Sequence, residues 1–192
     1  MASKKKRAKA KSTARKPVKK AASKPARRAP KRAAKARPKP AAAAAPGASK
    51  ATPYLCVKGG LAALDFYTAA FGAIETLRIV DKSGRLGHAD IEIEGATIML
   101  SDEWPEGGVF SPQTLGGSPV SVHLYVKNVD ALTRRALAAG ATEVRPVADQ
   151  PYGDRSGTIR DPFGHRWMLS TKQEDVSKDE MERRFGGAFL VS

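Results

Sequence analysis

The residue types most able to do chemistry in this sequence fall in three places. Asp161, His165 and Arg166 lie within six residues of one another, in Asp161-Pro162-Phe163-Gly164-His165-Arg166-Trp167-Met168-Leu169-Ser170. An acid, an imidazole and a guanidinium that close together could hold an anion or pass a proton. Their setting argues for a plainer role. Asp-Pro-x-Gly is turn chemistry, in which Pro pre-sets φ, Asp bonds the backbone just ahead and Gly supplies a position free of Cβ clashes. The run after it reads as a short strand, with Trp167 and Leu169 in the core. His88, Asp90 and Glu92 alternate along a second stretch, a stripe that suits either a metal or a solvated sheet face. His123 shares a strand face with Ser121 and Tyr125. On a cavity wall it would bind an anionic ligand, relay a proton, ligate a metal, or simply form a hydrogen-bonded part of the wall.

Further candidates are simpler. Arg160 and Arg166 alternate with core positions; a guanidinium there favours a carboxylate or phosphate, and ion pairing with nearby acids is the plainer alternative. Tyr54, Trp104, Phe110 and Tyr152 are aromatic walls for an apolar pocket or packing residues under a lid. Cys56, the single cysteine, has no activating base beside it and reads as a buried, inert thiol. The chain carries no nucleophile elbow, P-loop, dinucleotide fingerprint or CxxC.

The elements that must position these residues occur twice. Pro53–Val57 is a strand, broken by Lys58-Gly59-Gly60; Leu61–Phe71 has helical spacing, with Leu61, Leu64, Tyr67 and Phe71 on one face and Gly72 as its stop. Ile74–Val80 is a strand, Asp81–Gly84 a turn, Leu86–Glu94 an alternating strand with Ala89, Ile91 and Ile93 inward, and Thr97–Ser101 the last strand. Asp102–Pro119, rich in Gly, Pro and acid, reads as a linker that folds over something. The plan then repeats: strand Pro119–Val126, helix Ala131–Ala139 ended by Gly140, and strands Thr142–Asp149, Tyr152–Asp161 and His165–Ser170. Val57-Lys58 answers Val126-Lys127, Phe71-Gly72-Ala73 answers Ala139-Gly140-Ala141, and Met99-Leu100-Ser101 answers Met168-Leu169-Ser170. A duplicated βαβββ unit, an α+β fold, follows.

Charge divides the chain. Residues 1–50 hold 19 of its 34 Lys and Arg and no acid, leaving 15 bases against all 19 acids, a net charge of −4, for the remainder. The basic segment has no aromatic residue and six prolines, so it reads as disordered. Such a polycation, including Lys4, Lys5, Lys6, Arg7, Lys19, Lys20, Arg27 and Arg28, binds phosphate backbones without reading sequence, and its composition resembles the tails of linker histones and nucleoid-associated proteins. One cysteine suits a reducing compartment. No apolar run long enough for a membrane span or a secretory h-region is seen, so the expected location is cytoplasmic, with nucleoid association as the option the basic segment adds. Residues 174–192 read as a C-terminal extension with a short helix from Ser177 to Phe185, Ser177 at its N-cap, and Met181, Phe185, Phe189 and Leu190 as anchors.

Two βαβββ units resemble the vicinal-oxygen-chelate superfamily of glyoxalases, bleomycin-resistance proteins and extradiol dioxygenases. Pro53-Tyr54-Leu55, Asp65-Phe66-Tyr67, Ala70–Ala73, His88-Ala89, Met99–Glu103 and Asp161–Trp167 are similar, more narrowly, to its PhnB-like branch, over about residues 52–173. The resemblance implies a curved, cup-shaped mixed sheet built from repeats 52–103 and 118–172, within a domain spanning 51–173. It also implies metal positions on the first and last strand of each repeat, which here are Thr52, Met99, Ser121 and Met168. Hydroxyls bind divalent ions weakly and thioethers favour soft Cu(I), so no cofactor is expected. Divalent-metal chemistry would need other ligands, such as His88, His123 and Glu92. The expected function is small-molecule binding in the cup of a homodimer, by Tyr54, Met99, Ser101, Trp104, Ser121, His123, Tyr125, Arg160 and Met168. The alternatives are a metal-dependent lyase, isomerase or dioxygenase with atypical ligands, and a DNA-tethered protein acting through its basic segment.

Overall fold

A computed structural model describes residues 51–191; the basic segment, and the disorder expected of it, lie outside them. The elements run β1 (Tyr54–Val57), α1 (Gly60–Phe71), β2 (Ile74–Val80), β3 (Leu86–Ile93) and β4 (Ala96–Asp102), then a short helix α2 (Pro112–Leu115). The plan recurs as β5 (Ser121–Tyr125), α3 (Val129–Ala138), β6 (Thr142–Asp149), β7 (Asp154–Arg160) and β8 (Arg166–Lys172), followed by α4 (Lys178–Arg184). Each repeat closes its own four-stranded sheet, ordered β1-β4-β3-β2 and β5-β8-β7-β6. The first and last strands of a repeat are parallel and the others antiparallel. The expected duplication is therefore present strand for strand.

Alternation decides which face each residue takes. Leu55, Val57, Ala89, Ile91, Ile93, Ile98 and Leu100 are buried under α1, and Leu124, Ile159, Trp167 and Leu169 are buried in the second repeat. The two helices pack on each other. Tyr67 and Phe71 of α1 set their rings 5.7 and 4.9 Å from Trp167 of β8, so the two repeats share one core. Leu61, expected on the inner face of α1, is 38% exposed, and Phe66 is buried instead. Gly60, the first residue of the helix, packs against β3 so closely that a Cβ there would lie 2.5 Å from Leu86 Cβ.

Asp161 ties the repeats together. Its Oδ1 accepts the backbone N–H of Phe163 and His165, and its Oδ2 accepts Tyr67 Oη at 2.8 Å and Trp167 Nε1 at 2.9 Å. Burial, with the Asp161 charge and hydrogen bond, holds the Tyr67 phenol well above its ordinary pKa. The His165 ring is buried and bonds the Cys56 carbonyl on the free edge of β1 at 2.9 Å. The acid, imidazole and indole of this stretch are fold residues.

The outer strands β2 and β6 are exposed along nearly their whole length and break register, at Glu75/Leu77 and Ile79/Val80 in one and at Glu143/Arg145 and Arg145/Ala148 in the other. The Asp102–Pro119 linker is more ordered than expected. Pro105–Gly107 makes one 3-10 turn, and Ser111 caps α2 with Pro112 at its first position and Gly116 at its end. Glu103 fastens it, accepting from Ser111 N, Ser111 Oγ and Thr114 Oγ1, bonds that hold its carboxyl below the usual carboxylate range. Ser177 caps α4 as expected, accepting from Glu180 N. Phe189 and Leu190, expected as anchors, are exposed.

Candidate functional site

The face of each sheet turned away from its helix carries most of the candidate residues. On the first sheet Tyr54 and Asp90 both stand opposite Met99, and Cys56 opposite Ser101. Tyr54 Oη lies 2.9 Å from His88 Nδ1, and His88 Nε2 lies 3.0 Å from Asp90 Oδ1. A carboxylate can only accept, so a proton on His88 Nε2 faces Asp90, and in the neutral ring Tyr54 then donates to Nδ1. Leu77 and Ile79 of β2, opposite Asp90 and His88, supply the apolar margin and are 44% and 53% exposed. Cys56 is partly covered on this face; burial, then the charges of Glu103 and Asp102, push its thiol up to about 11. It is a poor nucleophile at neutral pH.

On the second sheet His123 stands opposite Met168. Its Nε2 is 2.9 Å from Ser170 Oγ, and its ring stacks on Tyr125 at 4.8 Å. Tyr125 donates to Asp154 at 2.8 Å, which raises its phenol pKa. Ser156, Thr158 and Ser170 are buried hydroxyls on this face, with Arg145 and Tyr152 bonded to Ser156. This hydroxyl set escaped the sequence reading, although the alternation Ser156-x-Thr158 opposite Met168-x-Ser170 was its available signal.

Several clefts lie beside these faces. An open cleft of about 440 Å³ between the repeats brings Thr52 and Thr97 to His123. A smaller one of about 290 Å³, mostly apolar, runs from Tyr54 and Cys56 to Phe110, Leu115 and His165. A third, of about 480 Å³, is lined by Arg160 and Arg166 with Gln113 and Ser118. Trp104 is exposed, pairs with Val109 through a short bridge, and borders none of the three.

The metal positions implied by the resemblance hold Thr52 before β1, Met99 on β4, Ser121 on β5 and Met168 on β8. Two hydroxyls and two thioethers do not fit a divalent ion. Among the described residues no three His, Cys, Asp or Glu side chains converge on a metal site. His88, Glu92 and His123, the alternative set, do not form such a group. No described helix is long and apolar enough to cross a membrane.

Comparison with known proteins agrees with this architecture. The family model for the Glyoxalase/Bleomycin resistance protein/Dioxygenase superfamily matches residues 52–169. An uncharacterised protein of Mycobacterium bovis is 45% identical over 134 residues, covering 68% of this chain and 88% of its own. An uncharacterised Arabidopsis thaliana protein is 27% identical over 127 residues, 62% of this chain and 76% of its own. Among solved structures, TioX from Micromonospora sp. ML1 is 28% identical with a TM-score of 0.52, over 67% of this chain and all of that one. The fosfomycin resistance protein FosX of Listeria monocytogenes, complexed with Mn(II) and sulfate, matches at TM-score 0.50 and 20% identity, over 72% and 98% of the two chains; this is a likeness of fold. The PhnB protein of Bacillus cereus matches at 0.50 and 21%, over 64% and 99%. A duplicated βαβββ fold and a family model spanning both repeats place this chain in the glyoxalase/bleomycin resistance protein/dioxygenase superfamily.

Proposed function

We propose that the protein binds a small molecule against its two open sheet faces without the divalent metal of its enzymatic relatives. The observation that carries this reading is the symmetric pair Met99 and Met168, each half-buried at the centre of its face. A polarisable, unbranched side chain at both points offers an adaptable apolar floor. The polar groups around it, Tyr54–His88–Asp90 on one face and His123–Ser170 on the other, are few and directional, as ligand orientation requires.

The protein is proposed to act as a homodimer. Leu77 and Ile79 stand exposed on the first face, and His123 and Tyr125 are exposed on the second. A second copy would close each face over a ligand and cover this apolar margin.

The test is a thermal-shift screen of small metabolites on the full chain, with elemental analysis of protein purified without chelators. A stabilising ligand whose effect is lost in both Met99→Asp and Met168→Asp is the expected result. Stoichiometric Zn, Ni, Mn or Fe that disappears in His88→Ala or His123→Ala would overturn the reading in favour of a metal-dependent lyase, isomerase or dioxygenase.

A second reading rests on the 19 bases and no acids of residues 1–50: this segment holds the protein on nucleic acid, leaving the small-molecule site to the mildly acidic domain. DNA affinity of the full chain should fall steeply with salt. A version beginning at Thr52 that kept the same affinity and salt slope would sink this reading.

A further inference from the structure

Arg160 and Arg166 are direct cross-strand partners at the turn end of β7 and β8. Like charges set opposite each other in an antiparallel pair repel, and the plain remedy is a neighbouring acid. Arg78, Arg85, Arg155, Arg183 and Arg184 each have a carboxylate within 4.0 Å. Among the described residues neither Arg160 nor Arg166 does. The acid between them in sequence, Asp161, is buried and faces four donors, Phe163 N, His165 N, Tyr67 Oη and Trp167 Nε1. The ion pairing expected of these arginines is thus missing, and both line the 480 Å³ cleft beside α2 with Gln113 and Ser118, whose own side chains donate to the Pro162 and Val120 carbonyls.

Two exposed guanidinium forks on one cleft wall make a concentrated positive site whose donors match the oxygens of a tetrahedral oxyanion. We infer that Arg160 and Arg166 form a binding site for the phosphate group of a small ligand, at the rim of the second sheet. The inference goes beyond the small-molecule reading and does not depend on it, since the site contains neither Met99 nor Met168.

The test follows the arginine Nε–H resonances of the full chain by NMR during titration with inorganic phosphate at constant ionic strength. Arg160→Lys and Arg166→Lys serve to assign the two signals. The expected result is that Arg160 and Arg166 shift together and saturate. Exposed Arg134, which also lacks an ion pair, and the arginines of residues 1–50 should drift without saturating. Arg160→Ala should weaken the response of Arg166 by about tenfold, and acetate should bind more weakly than phosphate. Both side chains are exposed, so these variants leave the core intact. A response at Arg160 and Arg166 no different from that at Arg134, or one at Arg166 unchanged by Arg160→Ala, would overturn the site. Either failure would leave the Met99 and Met168 variants, and the reading they test, untouched.

Discussion

In the first repeat the loop before α1 is held by Asp102, whose carboxylate accepts Gly59 N, Gly60 N and, from β3, Leu86 N. In the second, the matching place at the end of the last strand holds Thr171. Its hydroxyl accepts Val129 N at the start of α3 and donates to the Val126 carbonyl. A helix that starts against its own last strand presents N–H groups that need an acceptor. The fold demands that acceptor and is indifferent to whether it is a carboxylate or a hydroxyl. The closing hairpins differ more. β3 and β4 turn on Glu94 and Gly95, both at positive φ, and Glu94 also accepts Lys127 N from the other repeat. β7 and β8 turn on Asp161–Gly164, and Asp161 reaches into the shared core for Tyr67. Duplication copied the backbone, and the second hairpin became the lock between the copies.

This contrast can be broken experimentally. Asp161→Ala strands the buried Tyr67 hydroxyl and Trp167 N–H, and should cost about 3–5 kcal/mol in urea denaturation. Glu94→Ala, at the matching hairpin, should cost about 1 kcal/mol or less. Equal losses would mean that Asp161 is an ordinary turn residue. Asp102→Ala, which frees three N–H groups, should lose about 2 kcal/mol, and Thr171→Val about 1 kcal/mol. A larger loss for Thr171 would reverse the ranking of the two caps.

Acid should loosen the linker between the repeats before the repeats themselves. The Glu103 pKa is lowered in the fold, so its contribution is complete above the unfolded carboxyl value, about 4.3, and is lost as pH falls through the folded one. Hydrogen exchange at Ser111 and Thr114 should rise in that range, after correction for intrinsic rates, while exchange at Leu100 and Leu169 stays slow. The smallest effect separates Cys56 from Tyr125, its counterpart one repeat later. With its thiol pushed up to about 11, Cys56 should be alkylated roughly tenfold more slowly at pH 8 than an unfolded thiol, the loss of thiolate being partly offset by greater nucleophilicity. Alkylation at the unfolded rate would mean that its burial is not maintained in solution.

The fold was readable because its signals are local and repeated: alternation in Leu86–Ile93, glycine stops after both helices, and paired Met-Leu-Ser strands. The start of α3 was placed two residues late, since Asn128, which caps it by accepting Ala131 N, read as a loop residue. α2 went unseen although Ser111, Pro112 and Gly116 bracket it, because four residues show no period. The site was legible only as faces. That Tyr54, His88 and Asp90 join in one chain of hydrogen bonds depends on which strands pair and in what register, and that is set by the pairing of β1 and β3 to either side of β4. That Arg160 and Arg166 stand opposite each other depends likewise on the length of the turn between them.

The register breaks of β2 and β6 bear on how this protein can aggregate. A long, regular outer strand is a template on which another chain can polymerise. Here both outer strands kink and carry charges along their length, Glu75 and Arg78 in one and Glu143 and Arg145 in the other. Edge-to-edge growth into fibrils along β2 and β6 is thereby discouraged, so partially unfolded chains that open a hairpin should be more hazardous than the native state.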